Sequence, residues 1–121
     1  MTRPLRILIV EDEALIALDL QEMLEDAGHK VVGHAVSMEE ALRLAAKAKP
    51  DVALVDVGLK GEGNGLDTAE ALGSRFRIPA LFLTGSTDFR VRAMALDVEP
   101  LGYVTKPYRA DDILDALRLA A

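Results

Sequence analysis

Val52-Ala53-Leu54-Val55 is an uninterrupted apolar run that stops on a carboxylate, Asp56. Pro50-Asp51 stands before it and a glycine-rich stretch follows. A run so short and so sharply bounded reads as a strand buried on both faces. Such strands belong to sheets with helices packed on either side, where the loops at the C-terminal strand ends converge on one ligand-binding crevice. Asp56 stands on that lip.

The rest of the chain fits the same frame. Ile7-Leu8-Ile9-Val10 is a second apolar run and ends on Glu11-Asp12. From Glu13 to Ala27, Ile16, Leu20 and Leu24 recur at four-residue spacing, Leu15, Leu18 and Met23 widen the face, and Gly28 supplies the stop of a first helix. Lys30 to Ala35 is a weaker strand around Val31-Val32. Ser37 and Glu40 fit a capping box that opens a helix running through Ala48, which Pro50 closes. After the Asp56 strand, the loop Gly58 to Gly65 is rich in residues that tolerate positive φ. Leu66 to Phe76 reads as the third helix, and Ala80 to Thr84 as a buried strand between Pro79 and Gly85. Asp88 caps a short fourth helix with Val91, Met94, Ala95 and Leu96 inward. Gly102 to Thr105 is the fifth strand, stopped by Lys106-Pro107, and Ala110 to about Leu119 is the last helix, with Ile113, Leu114 and Leu117 buried. Five strands alternating with five helices predict an α/β fold, a parallel sheet covered on both faces and joined by right-handed crossovers. No repeat or linker divides residues 1–121, so a single domain is expected.

Composition narrows the function. Twenty acidic against fourteen basic side chains, with no basic cluster in the sequence and few aromatics, argue against direct nucleic-acid binding. The absence of cysteine excludes disulfides, thiolate metal sites and thiol catalysis. The apolar run near the N-terminus is too short for a signal peptide or membrane span, so a cytoplasmic protein without membrane attachment is expected.

The strand ends deliver Glu11, Asp12, Asp56, Thr84 and Lys106 to one edge. Ionised carboxylates brought together there repel by about 4 kcal/mol per pair at 4 Å and an effective dielectric near 20. Lys106 offsets part of this, and hard oxygen ligands without histidine or cysteine favour Mg2+ for the rest. An aspartate, a magnesium ion, a hydroxyl and a lysine are the parts needed for phosphoryl transfer to a carboxylate. Asp56 is then the nucleophile, Lys106 and the metal balance charge, and Thr84 donates a hydrogen bond.

At Val10-Glu11-Asp12-Glu13, Leu54-Val55-Asp56, Leu83-Thr84-Gly85 and Tyr103-Val104-Thr105-Lys106-Pro107 the chain resembles the receiver domain of two-component response regulators, from Ile7 to Leu119. The resemblance implies a flavodoxin-like sheet of strand order 2-1-3-4-5. It implies that Asp56 accepts a phosphoryl group from the phosphohistidine of a sensor histidine kinase or phosphotransfer protein. Asp12 binds Mg2+ directly, Glu11 nearby or through water, and Asp56 and the Gly58 backbone carbonyl complete the ligands. Thr84 is the switch hydroxyl with Tyr103 as its aromatic partner, Lys106 touches the phosphoryl group, and the Lys106-Pro107 bond is cis as in the family. The expected output is a phosphorylation-dependent change in the face formed by the fourth helix, fifth strand and fifth helix, read by a downstream protein target. Such a module is a switch rather than an enzyme.

Departures from the family pattern fall at Lys60, where proline is frequent, in a loop one residue longer before Asn64-Gly65, and at Glu99-Pro100-Leu101. Gly58 and Ser86 lie where the family tunes the lifetime of the phosphoryl group. Two other functions compete. A phosphatase working through an aspartyl phosphate would want a second acid two residues after Asp56, where Gly58 stands. A phosphorylation-independent interaction module would not need the complete set of acids, threonine and lysine. The glycine-rich loop lacks the spacing and lysine of a nucleotide-binding loop. His29, His34, Arg90 and Arg92 read as surface residues. The start at Met1 and the end just after the last helix lean towards a stand-alone receiver, with dimerisation through the output face as a further expectation.

Overall fold

A computed structural model describes residues 3–57, 65–84, 101–105 and 107–118. Five strands form one parallel sheet: β1 (Arg6–Val10), β2 (Lys30–Ala35), β3 (Val52–Asp56), β4 (Ala80–Thr84) and β5 (Gly102–Thr105), in the order β2-β1-β3-β4-β5. The helices among the described residues are α1 (Ala14–Asp26), α2 (Met38–Ala48), α3 (Gly65–Phe76) and the C-terminal helix (Ala110–Leu117). Four helices are thus described where five were expected, because the segment after Asp88 lies outside the described residues.

β3 and β4 are buried along their whole length and β1 from Ile7 to Val10, and their side chains divide by parity between two cores. Leu8, Val10, Ala53, Val55 and Phe82 pack with Ala41 and Ala45 of α2 and Leu66, Ala69 and Leu72 of α3. Ile7, Ile9, Val52, Leu54, Leu81 and Leu83 pack with Ala17, Leu20 and Leu24 of α1 and Ile113 and Leu117 of the C-terminal helix. This double burial is why β1, β3 and β4 are apolar runs without polar alternation. β2 is an edge strand and mostly half-buried, consistent with its weaker apolar pattern.

Local signals set the helix ends. Ser37 Oγ accepts from Glu40 N at 3.2 Å, but the Glu40 carboxylate takes the backbone N–H of Val36 instead of closing the box on Ser37. Gly28, at φ +93°, ends α1 in a backbone conformation that side-chain-bearing residues rarely adopt. The expected face of α1 is met at Leu20 and Leu24, with Ile16 and Met23 packed partly buried against the same core, but not at Leu15 and Leu18. Ala17, Leu20 and Leu24 are buried against the sheet, while Leu15 is 78% and Leu18 52% exposed.

Candidate functional site

Glu11 follows β1, Asp12 follows Glu11, and Asp56 closes β3, so the two neighbouring central strands carry three carboxylates to one edge of the sheet. Oxygens of all three lie within 4.8 Å of one another. Glu11 and Asp56 are buried, at 1% and 5% exposure, and Asp12 is partly exposed. Burial removes the water that would screen these charges, and at this separation each ionised pair opposes folding by about 3–4 kcal/mol at an effective dielectric near 20. The donor set is oxygen only, which suits a small hard divalent cation over zinc or copper.

Thr84 stands on the adjacent strand. Asp56 pairs in register with Leu83, so Thr84 is one position beyond it at the end of β4, and it too is buried. Tyr103 on β5 pairs with Phe82, and their rings lie 5.7 Å apart at 27°, with Tyr103 half-buried. The structure therefore places Glu11, Asp12, Asp56 and Thr84 at one sheet edge, with Tyr103 further back along β5. Lys106, the Gly58 carbonyl and the Lys106-Pro107 bond lie outside the described residues, as do the 58–64 loop, Ser86, Arg90 and Arg92.

Three residues that the sequence reading did not assign to the site hold or sense it. His34 was read as a surface residue, but it is half-buried and its Nε2 lies 2.6 Å from the Glu11 carbonyl oxygen. A carbonyl can only accept, so Nε2 carries the proton and tethers the backbone of Glu11. His29 also departs from the surface reading: its Nδ1 accepts from Leu5 N at 3.0 Å. Gly65, at the start of α3, sits directly behind the phosphoacceptor candidate. A Cβ there would come within 2.6 Å of the Asp56 carbonyl oxygen and 2.8 Å of Val57 Cα, so only glycine lets α3 approach this closely. No pattern around Asn64-Gly65 marks that contact, since it joins two elements.

Tyr108 is the third. It lines a cavity of about 170 Å3 between α1 and the C-terminal helix, with Ile16, Asp19, Leu20, Met23 and Ala110. Burial first, and then the negative charges of Glu11, Asp56 and Asp19, raise its phenol above the ordinary pKa. The phenol therefore senses the electrostatic potential of the acid cluster. Its place two residues after Lys106 was the only hint in the sequence.

The family model for the response regulator receiver domain matches residues 7–118. The chain belongs to this family. This receiver domain is 38% identical over 117 residues to the transcriptional regulatory protein PdtaR of Mycobacterium tuberculosis, an alignment covering 97% of this chain and 57% of PdtaR. The chain thus spans little more than half the length of that relative. Among solved structures, the signal receiver domain of a modulated diguanylate cyclase from Desulfovibrio desulfuricans G20 superimposes with a TM-score of 0.88 at 38% identity, covering 98% of this chain and 94% of that one. The chemotaxis protein CheY4 of Vibrio cholerae gives 0.85 at 28% identity, covering 98% of this chain and the whole of that one. Receiver domains act in two-component signal transduction and bind Mg2+ at an acidic pocket, and this chain has an acidic cluster of Glu11, Asp12 and Asp56. No helix among the described residues is long and apolar enough to cross a membrane.

Proposed function

We propose that this chain is a phosphoacceptor switch in which Asp56 takes a phosphoryl group from the phosphohistidine of a histidine kinase or phosphotransfer protein. The observation that carries this reading is the buried acid cluster at the ends of β1 and β3 in a chain of the receiver family. A carboxylate oxygen of Asp56 attacks phosphorus, the P–N bond to the donor imidazole breaks, and that nitrogen keeps the electron pair. Asp56 itself is buried, at the C-terminal end of β3. Glu11, Asp12, Asp56 and the Gly58 carbonyl would hold Mg2+. When bound, the ion neutralises the cluster and the charge that grows on the phosphoryl oxygens. Thr84 donates its hydroxyl hydrogen to one of those oxygens, and Lys106 pairs with another.

A donor protein must bring its phosphohistidine to this lip. Leu15 and Leu18, exposed on α1 just beyond Asp12, offer it an apolar footing. The switch then runs through Thr84: its hydroxyl turns to the phosphoryl group, Tyr103 repacks beside Phe82, and the face that includes β5 and the C-terminal helix changes its affinity for a downstream protein. The domain regulates another protein and does not turn over a substrate of its own.

The test is the intact mass after incubation with acetyl phosphate, with and without Mg2+, for the native protein and Asp56→Asn. One phosphoryl increment that needs Mg2+, decays with time and is missing from the variant is expected. A folded, Mg2+-binding protein that gains no mass from acetyl phosphate or from a phosphorylated histidine kinase would favour a phosphorylation-independent interaction module.

A further inference from the structure

At the end of the sheet opposite the acids, the C-termini of α2 and α3 frame an open groove of about 400 Å3, lined by Ala45, Ala46, Lys49, Pro50, Phe76 and Ile78. Apart from Lys49 the lining side chains are apolar, and Phe76 is one of the few large apolar side chains exposed among the described residues. Four exposed cations accompany it: Lys49 in its lining, and Lys47, Arg75 and Arg77 within two residues of lining positions. None of the four makes an ion pair or side-chain hydrogen bond among the described residues. The nearest acid in sequence, Asp51, is engaged by Arg3 at 3.7 Å and by the backbone N–H of Arg6 at 2.8 Å.

Basic residues near helix C-termini have an ordinary explanation, since each helix end carries about half a negative charge. Two such ends offset only about one of the four cations. The Arg6 guanidinium already satisfies the Ala48 carbonyl at the end of α2. Lys49 at φ 50° and Arg77 at φ 56° are the left-handed residues that close α2 and α3, their N–H groups donating to the Ala45 and Gly73 carbonyls. Glycine would close either helix more cheaply, so what a lysine and an arginine add there is charge.

We infer that this groove docks an acidic segment of a partner protein that carries at least one large apolar side chain. The apolar side chain fills the space between Ala46, Pro50, Phe76 and Ile78 while flanking carboxylates pair with Lys49 and Arg77. A nucleic acid fits less well, because the groove offers its bases no stacking platform beyond Phe76. A membrane surface fits less well, because the apolar contact is concave. The surface lies at the far end of the strands from Asp56, so it can be occupied while the phosphoacceptor site is engaged.

The experiment is an amide NMR titration of the full chain with an acetylated, amidated peptide, Glu-Asp-Glu-Leu-Phe-Glu-Asp-Glu. Shift changes centred on Ala46, Lys49, Phe76 and Ile78, with affinity falling about tenfold at high salt, are expected. The pair Lys49→Gly and Arg77→Gly suits the backbone at both positions; it should keep the thermal midpoint and weaken binding about tenfold. Should that pair fail to fold, Lys49→Gln with Arg77→Gln gives the same reading. Undiminished binding by the charge-deleted variant, equal binding of a peptide with serines in place of leucine and phenylalanine, or shifts centred elsewhere would overturn the inference. So would absence of binding, or tighter binding to single-stranded RNA or anionic vesicles than to the peptide.

Discussion

Three carboxylates within 4.8 Å stabilise nothing by themselves, and their behaviour as single residues is the most direct physical consequence of the site. Replacing Asp56 with asparagine removes one charge from the cluster. It should raise metal-free stability at neutral pH by about 1–3 kcal/mol, measured by urea unfolding, while shrinking the stabilisation that Mg2+ gives the native protein. Gly65→Ala should act in the opposite sense. Its methyl group meets the Asp56 carbonyl and Val57 backbone, so α3 must shift at a cost of about 1–3 kcal/mol, and the displaced Asp56 should bind Mg2+ more weakly in a calorimetric titration. Tyr108 supplies a pH-dependent readout. Because its folded-state pKa is raised, its stabilising contribution is complete below the unfolded phenol value, about 10, and is lost as pH rises through the folded value. The ultraviolet titration difference between native protein and Tyr108→Phe should show a midpoint above 10 without metal and a lower one with Mg2+, which offsets the charges of Glu11 and Asp56.

Elements were legible in the sequence to the extent that their signals are local. Val52–Asp56 and Ala80–Thr84 are recovered at the expected residues because an apolar run of about five residues between turn formers is too short for a buried helix. Ser37 marks the start of α2 through a bond three residues long, and Ser37→Ala should lower stability by about 1 kcal/mol in thermal or urea unfolding. On α1 the stripe Ile16, Leu20, Met23 and Leu24 does face the core, but Leu15 and Leu18 do not, because hydrophobicity alone counts every leucine as core whereas the sheet contact takes small Ala17. The two exposed leucines bear on the proposed function. Leu15→Ala with Leu18→Ala should change stability by less than about 0.5 kcal/mol, since neither side chain is buried. If α1 seats the phosphodonor, the double variant should slow transfer from a histidine kinase while leaving labelling by acetyl phosphate unchanged.

For the whole molecule, strand order converts separate motifs into one site. β1 and β3 are neighbours although α1, β2 and α2 lie between them in sequence, and the connection from β1 runs outward to β2 on one side while that from β3 runs outward to β4 on the other. That reversal opens the crevice at which Glu11, Asp12 and Asp56 meet. The parallel sheet and the edge holding the acids followed from apolar runs ending on polar residues. The tether from His34 to Glu11, the close packing of Gly65 on Asp56 and the field at Tyr108 did not, because each joins residues whose proximity exists only after folding. The central claim is that one of three neighbouring carboxylates, Asp56, accepts the phosphoryl group. It is tested most directly by treating the Mg2+-loaded protein with acetyl phosphate, reducing the acyl phosphate with borohydride and locating the resulting homoserine by tandem mass spectrometry. Homoserine at position 56 alone is the predicted result; homoserine derived from Asp12, or none in a protein that has gained phosphoryl mass, would contradict it.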